Sequence, residues 1–143
     1  MSYLITTGRY AGMTAKQGNR GGPGGALAIP AVVTTFGVPP VAWLHEVPLG
    51  RSFYVTKIMW YNPGVLATLN FGTLSNAAIP VPVPMFPTQM ALPGLVDGLS
   101  EEELVGVEFM LNSLAAPNGW DGNLYVVASI IDIELSVEVA EKA

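Results

Sequence analysis

The sequence predicts an all-β fold: a single β-sandwich or jelly-roll-like domain with an extended glycine-rich N-terminal arm. Short runs of β-branched and aromatic residues recur along the chain, and prolines and glycines separate these runs. Almost no segment has the 3.6-residue apolar period of an amphipathic helix. Since 143 residues are the usual size of one domain, we expect a single hydrophobic core.

The first 25 residues contain seven of the 16 glycines, and glycine loses the most backbone freedom on ordering. We therefore predict a flexible arm over residues 1–25 and a β-sandwich domain over residues 26–143. The first 45 residues have three basic side chains and no acid, whereas the remainder has eleven acids and three bases, a charge of −8. Opposite charge predicts that the arm docks on an acidic body. The predicted docking residues are Tyr3, Leu4, Ile5, Arg9, Tyr10, Lys16 and Arg20.

The strand pattern begins after the arm. Early strands are predicted over residues 32–36, 41–47 and 52–61. Residues 52–61 are apolar on both faces, which is typical of a central strand covered on each side. Asn62-Pro63-Gly64 then supplies a tight turn, because proline fixes φ and glycine accepts a positive φ. Since residues 65–71 are again β-prone, we predict a hairpin over residues 52–71.

Residues 79–93 contain five prolines. Proline cannot donate to a sheet ladder, so this segment is predicted to be a sheet edge or an extended surface segment. We expect its apolar side chains to anchor it on this protein's own sheet or on a neighbouring subunit; a proline-rich ligand for aromatic grooves is the alternative. These side chains are Val81, Val83, Met85 and Phe86.

The last third of the chain is predicted to contain a short helical start and two β segments. Ser100 and Glu103 have the spacing of a capping box, followed by at most two helical turns and a strand over residues 105–111. Residues 123–139 form the longest β segment, and its second half alternates between apolar and polar side chains. This alternation indicates one core face and one solvent face. A bulge near Ala128 or Ser129 would mark the change of environment.

Catalytic motifs are few. His45 is the only histidine, the chain has no cysteine, and no Gly-x-Ser-x-Gly elbow accompanies the histidine. The glycine run at residues 21–25 lacks the spacing of a phosphate-binding loop. The acidic residues near the capping box are expected to be a solvated turn instead of a cation site, and the strand acids a wet face instead of paired glycosidase carboxylates. We therefore predict no enzymatic activity, no cofactor and no metal.

The composition points to protein partners. Half of the residues are hydrophobic and only 12% are charged, so part of the surface is expected to be buried in a homo-oligomer. A body of charge −8 disfavours nucleic acid. Prolines interrupt the two long uncharged stretches, and the N-terminus lacks the pattern of a signal peptide. We thus expect neither a membrane span nor export by that route.

The basic glycine-rich arm, the proline-laden segment of residues 79–93 and the acidic β body ending in residues 123–139 together resemble small virion structural proteins. Such proteins decorate or cement a bacteriophage capsid, or form a single jelly-roll capsid subunit. The resemblance implies a homo-oligomer, commonly a trimer, on the capsid surface, with arms lying across neighbouring subunits and the major capsid protein as a further partner. The alternative function is a carbohydrate- or receptor-binding sandwich, with Trp120 as its contact.

Overall fold

The structure, a computed structural model, describes residues 2–17, 31–32, 41–74, 82–104, 107–110, 122–130 and 132–142. These residues are mainly in β-strands, with one 3-10 turn at Glu101–Glu103. The strands are β1 (Ser2–Leu4), β2 (Thr14–Gln17), β3 (Ala31–Val32), β4 (Val41–His45), β5 (Ser52–Tyr61), β6 (Ala67–Leu74), β7 (Pro82–Pro84), β8 (Gln89–Ala91), β9 (Val96–Leu99), β10 (Glu108–Met110), β11 (Leu124–Ala128) and β12 (Glu134–Lys142).

The described strands form two antiparallel sheets. The first has the order β1-β2-β12-β5-β10, with β3 also paired to β12 and β9 also paired to β5. The second has the order β4-β11-β6-β7, with β8 also paired to β6. The predicted all-β sandwich is therefore confirmed.

The order in which the chain visits the two sheets is that of a jelly roll. From β3 in the first sheet, the chain passes to β4 in the second, to β5 in the first and to β6 in the second. After β7 and β8 it returns to the first sheet for β9 and β10, then forms β11 in the second and β12 in the first. As a result β12, the last strand, lies between β5 and the early strands β2 and β3, as expected when Greek keys wrap a sandwich.

The core lies between the inner faces of the two sheets. β5 contributes Phe53, Val55, Ile58 and Trp60, each at most 1% exposed. β5 also has neighbours along both edges, β12 on one and β9 with β10 on the other, so it is a central strand. Its predicted cover on both faces is met only in part, because Tyr54, Met59 and Tyr61 are half-buried and Lys57 is exposed. Trp60 meets Phe71 of the second sheet at a ring-centroid distance of 5.8 Å, within the range of favourable aromatic pairs.

The predicted hairpin over residues 52–71 is wrong. β5 belongs to the first sheet and β6 to the second, so the turn after Tyr61 is a corner between sheets. Proline and glycine supply the chain reversal but do not select the hydrogen-bonding partner of the returning strand. The apolar inner faces of β5 and β6 pack against each other across the core, as Trp60 and Phe71 do.

Residues 123–139 form two strands instead of one long segment. β11 lies in the second sheet and β12 in the first, and Asp132, between them, has a φ of 67°. The predicted bulge near Ala128 or Ser129 is wrong, because β11 pairs with β6 in unbroken register to Ala128, and the register shifts lie at Leu124/Tyr125 and Glu138/Val139. The chain instead leaves the second sheet after Ser129, whose N–H donates to Thr68 O at 3.1 Å. The predicted core face of the second half is confirmed where it is described, at Ile133, Leu135, Val137 and Val139.

The two proline-flanked strands β7 and β8 lie at the edge of the second sheet, as predicted. The helical start is also confirmed as a single 3-10 turn. The Ser100 N–H and hydroxyl each donate to Glu103 Oε1 at 3.0 Å. These two hydrogen bonds lower the pKa of Glu103, and the one from the Ser100 backbone has the larger effect.

Candidate functional site

One end of the sandwich carries exposed apolar side chains on two adjacent loops, residues 62–66 and 92–95, and on the neighbouring strand residues Met90 of β8 and Val96 of β9. These side chains are between 46% and 67% exposed. The loops adjoin because Met90 lies opposite Thr68 of β6, and Val96 lies opposite Tyr61 of β5. We call this group the apolar end. Its members are Val65, Leu66, Met90, Leu92, Leu95 and Val96.

Asn62 holds the two loops of the apolar end together. Its side chain is fully buried, and its amide nitrogen donates to Val65 O at 2.6 Å and to Ala91 O at 2.9 Å. Its Oδ1 accepts from Gly64 N at 2.9 Å, and its backbone carbonyl accepts from Gly94 N at 2.7 Å. Asn62 therefore fixes the backbone of the two loops that carry Val65, Leu66, Leu92 and Leu95.

A buried polar pair joins the two sheets at the opposite end. His45, from β4, has no solvent-exposed surface, and its Nε2 lies 3.1 Å from Glu141 Oε2 of β12. The Glu141 side chain is 1% exposed. The imidazole also packs edge-on against Phe53, with a centroid distance of 4.5 Å. Since buried polar groups are costly unless paired, this pair stabilises one particular alignment of the two sheets.

Two cations complete this cluster, which we call the polar end: His45, Glu141, Lys16 and Arg51. Lys16 Nζ lies 2.9 Å from Glu141 Oε1, an ion pair without hydrogen-bond geometry. Arg51 lies 4.0 Å from the same oxygen, and its side chain is 51% exposed. Burial lowers the pKa of His45, outweighing the opposing effect of Glu141. The imidazole is thus neutral at neutral pH, and Nε2 donates to the carboxylate.

Residues 2–17, the first part of the predicted arm, form a hairpin that is part of the first sheet. β1 pairs with β2, and β2 pairs with β12. Tyr10 is 3% exposed and packs against Tyr54 at a centroid distance of 5.0 Å. Burial, and then the neighbouring Glu108 carboxylate, raise the pKa of Tyr54. Two predicted docking residues, Tyr10 and Lys16, therefore dock on their own domain.

The remaining predicted arm residues differ in exposure. Tyr3 and Leu4 are 56% and 62% exposed, Arg9 is exposed and Ile5 is half-buried. Arg20 lies outside the described residues. The hairpin thus keeps two apolar side chains and one cation on its surface.

The predicted interface residues of the proline-rich segment divide in a similar way. Phe86, predicted as an anchor on this sheet or on a neighbour, packs in the protein's own core at 8% exposure, near Phe109. Met85 packs against the same core, and its N–H donates to Phe71 O at 2.9 Å. Val81 and the side chain of Val83 lie outside the described residues. Buried aromatic anchors fix this edge because proline leaves it few ladder hydrogen bonds.

Trp120, the predicted ligand contact, also lies outside the described residues. A groove of about 400 Å³ runs beside β5, β9 and the 3-10 turn, and Lys57, Asp97 and Glu101 are among its lining residues. Within the described ranges, no three His, Asp or Glu side chains are arranged to hold a metal ion. None of the described segments is a helix long and apolar enough to cross a membrane.

Sequence reasoning missed Asn62 and Glu141. Asn62 was assigned only to a turn, although an Asn before Pro-Gly commonly bonds its own turn backbone. The alternation of β12, followed one step beyond Val139, would have placed Glu141 on the core face. A carboxylate on a core face requires a partner. The position of Glu141 in this alternation therefore predicts a buried polar contact.

Comparisons of this chain with protein-family models, with curated protein sequences and with solved structures found no match.

Proposed function

We propose that the chain is a virion structural protein that decorates or stabilises a capsid, assembling as a homo-oligomer through its β domain and its N-terminal hairpin. It has no catalytic role in this proposal. The partners are other copies of the chain and the major capsid protein.

The observation that carries the proposal is the apolar end. Scattered exposed apolar side chains are normal, whereas a concentration of them at one end of a domain favours an interaction site. Leu92, Leu95 and Val96 are each nearly half exposed, beside the acidic Asp97. Burying such side chains gains roughly 25 cal/mol per Å² of apolar surface. Because Asn62 already fixes the loop backbone, little further entropy is lost on docking.

Two further features support assembly. Only 12% of the residues are charged, which is about half the usual fraction of a soluble domain, and a buried contact surface accounts for this shortage. The hairpin also presents Tyr3, Leu4 and Arg9 on its surface, suited to an acidic, partly apolar neighbour. Jelly rolls occur among capsid proteins, lectins and cupins, so the fold is compatible with the proposal but does not select it.

Sedimentation of the full chain tests the contact surface. The wild-type chain is expected to sediment as an oligomer of its 15.1 kDa protomer. The Leu92→Ser/Val96→Ser variant should shift toward monomer because it removes apolar area from the apolar end. Leu49→Ser is the matched control, since Leu49 is 90% exposed but lies in the turn before β5. A wild-type monomer at high concentration, or an equal effect of the control, would contradict the proposal.

The virion assignment needs its own test. Mass spectrometry of purified particles of the virus that carries the gene should find the chain in repeating stoichiometry with the major capsid protein. Particles assembled without it should disrupt at a lower temperature, and adding the purified chain back should restore stability. Absence of the chain from intact particles would overturn the virion assignment.

A further inference from the structure

We infer that the polar end is a proton-sensitive clasp, which holds the N-terminal hairpin on β12 at neutral pH and releases it when His45 takes up a proton. The hairpin is β1, β2 and the turn between them. This inference goes beyond the proposed function and does not depend on it.

Among the described residues, three sets of contacts join the hairpin to the body. Thr14–Gln17 of β2 pair with residues of β12, Tyr10 packs on Tyr54, and Lys16 forms the ion pair with Glu141. Of these contacts, only the ion pair involves a side chain, that of Glu141, which also contacts a titratable side chain of the other sheet. Glu141 therefore links the hairpin to His45, with Oε1 facing Lys16 and Oε2 facing the imidazole.

At neutral pH, the buried carboxylate of the polar end has one close cation. The neutral imidazole donates Nε2–H to Glu141, and the single negative charge of the carboxylate is met by Lys16 from β2. Arg51, in the turn before β5, is a distant third partner at 4.0 Å. Glu46, next to His45 in the chain, is exposed. One buried carboxylate thus faces one close cation.

Protonation of His45 places a second close cation on the same carboxylate. The imidazolium cannot leave, because it is fully buried between the sheets. Lys16 can leave, because its side chain is already 38% exposed and its long stem lets the ammonium reach water. Repulsion between the two cations, in a site of low polarity, then favours displacement of Lys16. The hairpin loses the charge that fixes β2 to β12.

The lowered pKa of His45 sets the direction of the switch. The clasp is closed at neutral pH and opens on acidification, at a pH below the ordinary histidine pKa of about 6.5. Opening uncovers the contact between Ala15 and Ala140, which are directly opposite each other and at most 2% exposed. The edge of β12 then becomes available for another strand.

A cysteine reporter tests the clasp directly, since the chain has no cysteine of its own. Ala15→Cys reports opening of the hairpin. Ala67→Cys is the matched control, because Ala67 is also 2% exposed but pairs with Ala91 in the second sheet. The rate of modification by a dithiodipyridine reagent is measured from about pH 7.5 to about pH 5, the range in which histidines change charge. Each rate is normalised to that of a small thiol at the same pH.

The expected result is an acid-induced rise in the Ala15→Cys rate, about tenfold larger than the rise in Ala67→Cys, as for loss of one ion pair to a buried carboxylate. His45→Gln, which keeps a donor but does not titrate, should abolish the difference. Lys16→Met should give fast labelling of the Ala15→Cys reporter at both pH values.

Three outcomes would overturn the inference. Equal acceleration at both reporters would mean global loosening of the sandwich. No acceleration at the hairpin reporter would mean that the clasp does not open. An unchanged acceleration in the His45→Gln background would mean that another group is the proton acceptor. If His45→Gln does not fold, Lys16→Met decides instead, and slow labelling of its Ala15→Cys reporter at neutral pH would overturn the inference.

Discussion

The two ends of the sandwich differ in which side chains are buried and which are exposed. Along β5 and β12, Phe53 lies opposite Glu141 at one end and Tyr61 lies opposite Glu134 at the other. At the polar end, a carboxylate that would be costly to bury is matched by partners from two strands and a turn. At the apolar end, side chains that would gain from burial are left in solvent.

This difference separates stability from association. The polar end is satisfied within the chain, so its residues should influence folding and its pH dependence. The apolar end is unsatisfied, so its exposed side chains should influence assembly, while Asn62 beneath them influences folding. Substitutions at the two ends should therefore move different measurements.

The largest effect on folding is expected from Glu141→Ala at the polar end. The change removes the carboxylate that accepts from Nε2 of the fully buried His45, and it removes the anion beside Lys16. Loss of a buried charged partner costs about 3 kcal/mol. Urea unfolding, with an unchanged m value, measures this loss. A decrease below about 1 kcal/mol would show that the cluster behaves like an exposed ion pair.

Asn62→Ala should have the next largest effect, at the apolar end. The buried Ala91 carbonyl loses its donor, and Val65 O and Gly64 N lose their partners. Since a buried unpaired group costs about 1–3 kcal/mol, we expect a loss of about 2 kcal/mol in urea unfolding, together with weaker self-association. Asn62→Asp is the control, because it keeps the acceptor and loses the donor. Equal unfolding curves for wild type and Asn62→Ala would refute this role.

Between about pH 5 and 8, where the only histidine of the sequence titrates, the pH dependence of folding should come from the polar end. Burial lowers the pKa of His45 in the folded chain, so the unfolded chain binds the proton more readily. The free energy of unfolding should therefore fall as pH drops below about 6.5, the ordinary histidine value. Denaturation curves at several pH values measure this slope, and His45→Gln should flatten it. A slope that survives the substitution would assign the effect elsewhere.

The smallest effect is expected from Arg51→Ala. This side chain belongs to the polar end, but it is half exposed and 4.0 Å from Glu141. Solvent screens such a pair, so the free energy of unfolding should change by at most about 0.5 kcal/mol. A loss comparable to that of Glu141→Ala in the same urea assay would mean that Arg51, and not Lys16, balances the buried charge.

The strands could be predicted from the sequence because their signals are local. The two apolar faces of residues 52–61 and the alternation through Leu135, Val137 and Val139 follow from side-chain burial within one strand. The capping box of Ser100 and Glu103 is likewise local. The partners of each strand could not be predicted in this way. The turn at Asn62 specifies a reversal, and both a hairpin and a corner between sheets satisfy its backbone.

The site was less predictable than the fold for a related reason. Lys16 and Glu141 are far apart in the chain, and their contact depends on β2 lying beside β12. Tyr10 is an aromatic residue of the kind that docks on a surface. It does pack against a surface, but that surface is Tyr54 of its own domain. The residue type indicated an anchor, while only the topology identifies the surface it meets.

The position of β12 has a consequence for how the chain folds. Glu138 lies opposite Gln17 on one side and Lys57 on the other, so this last strand joins the early and middle parts of the sequence. Until β12 is in place, β5 lacks one neighbour and the N-terminal hairpin has no sheet to join. Such distant pairing makes folding slow, in the range of milliseconds to seconds. Until β12 forms, the edge of β5 that pairs with it is open to wrong pairing.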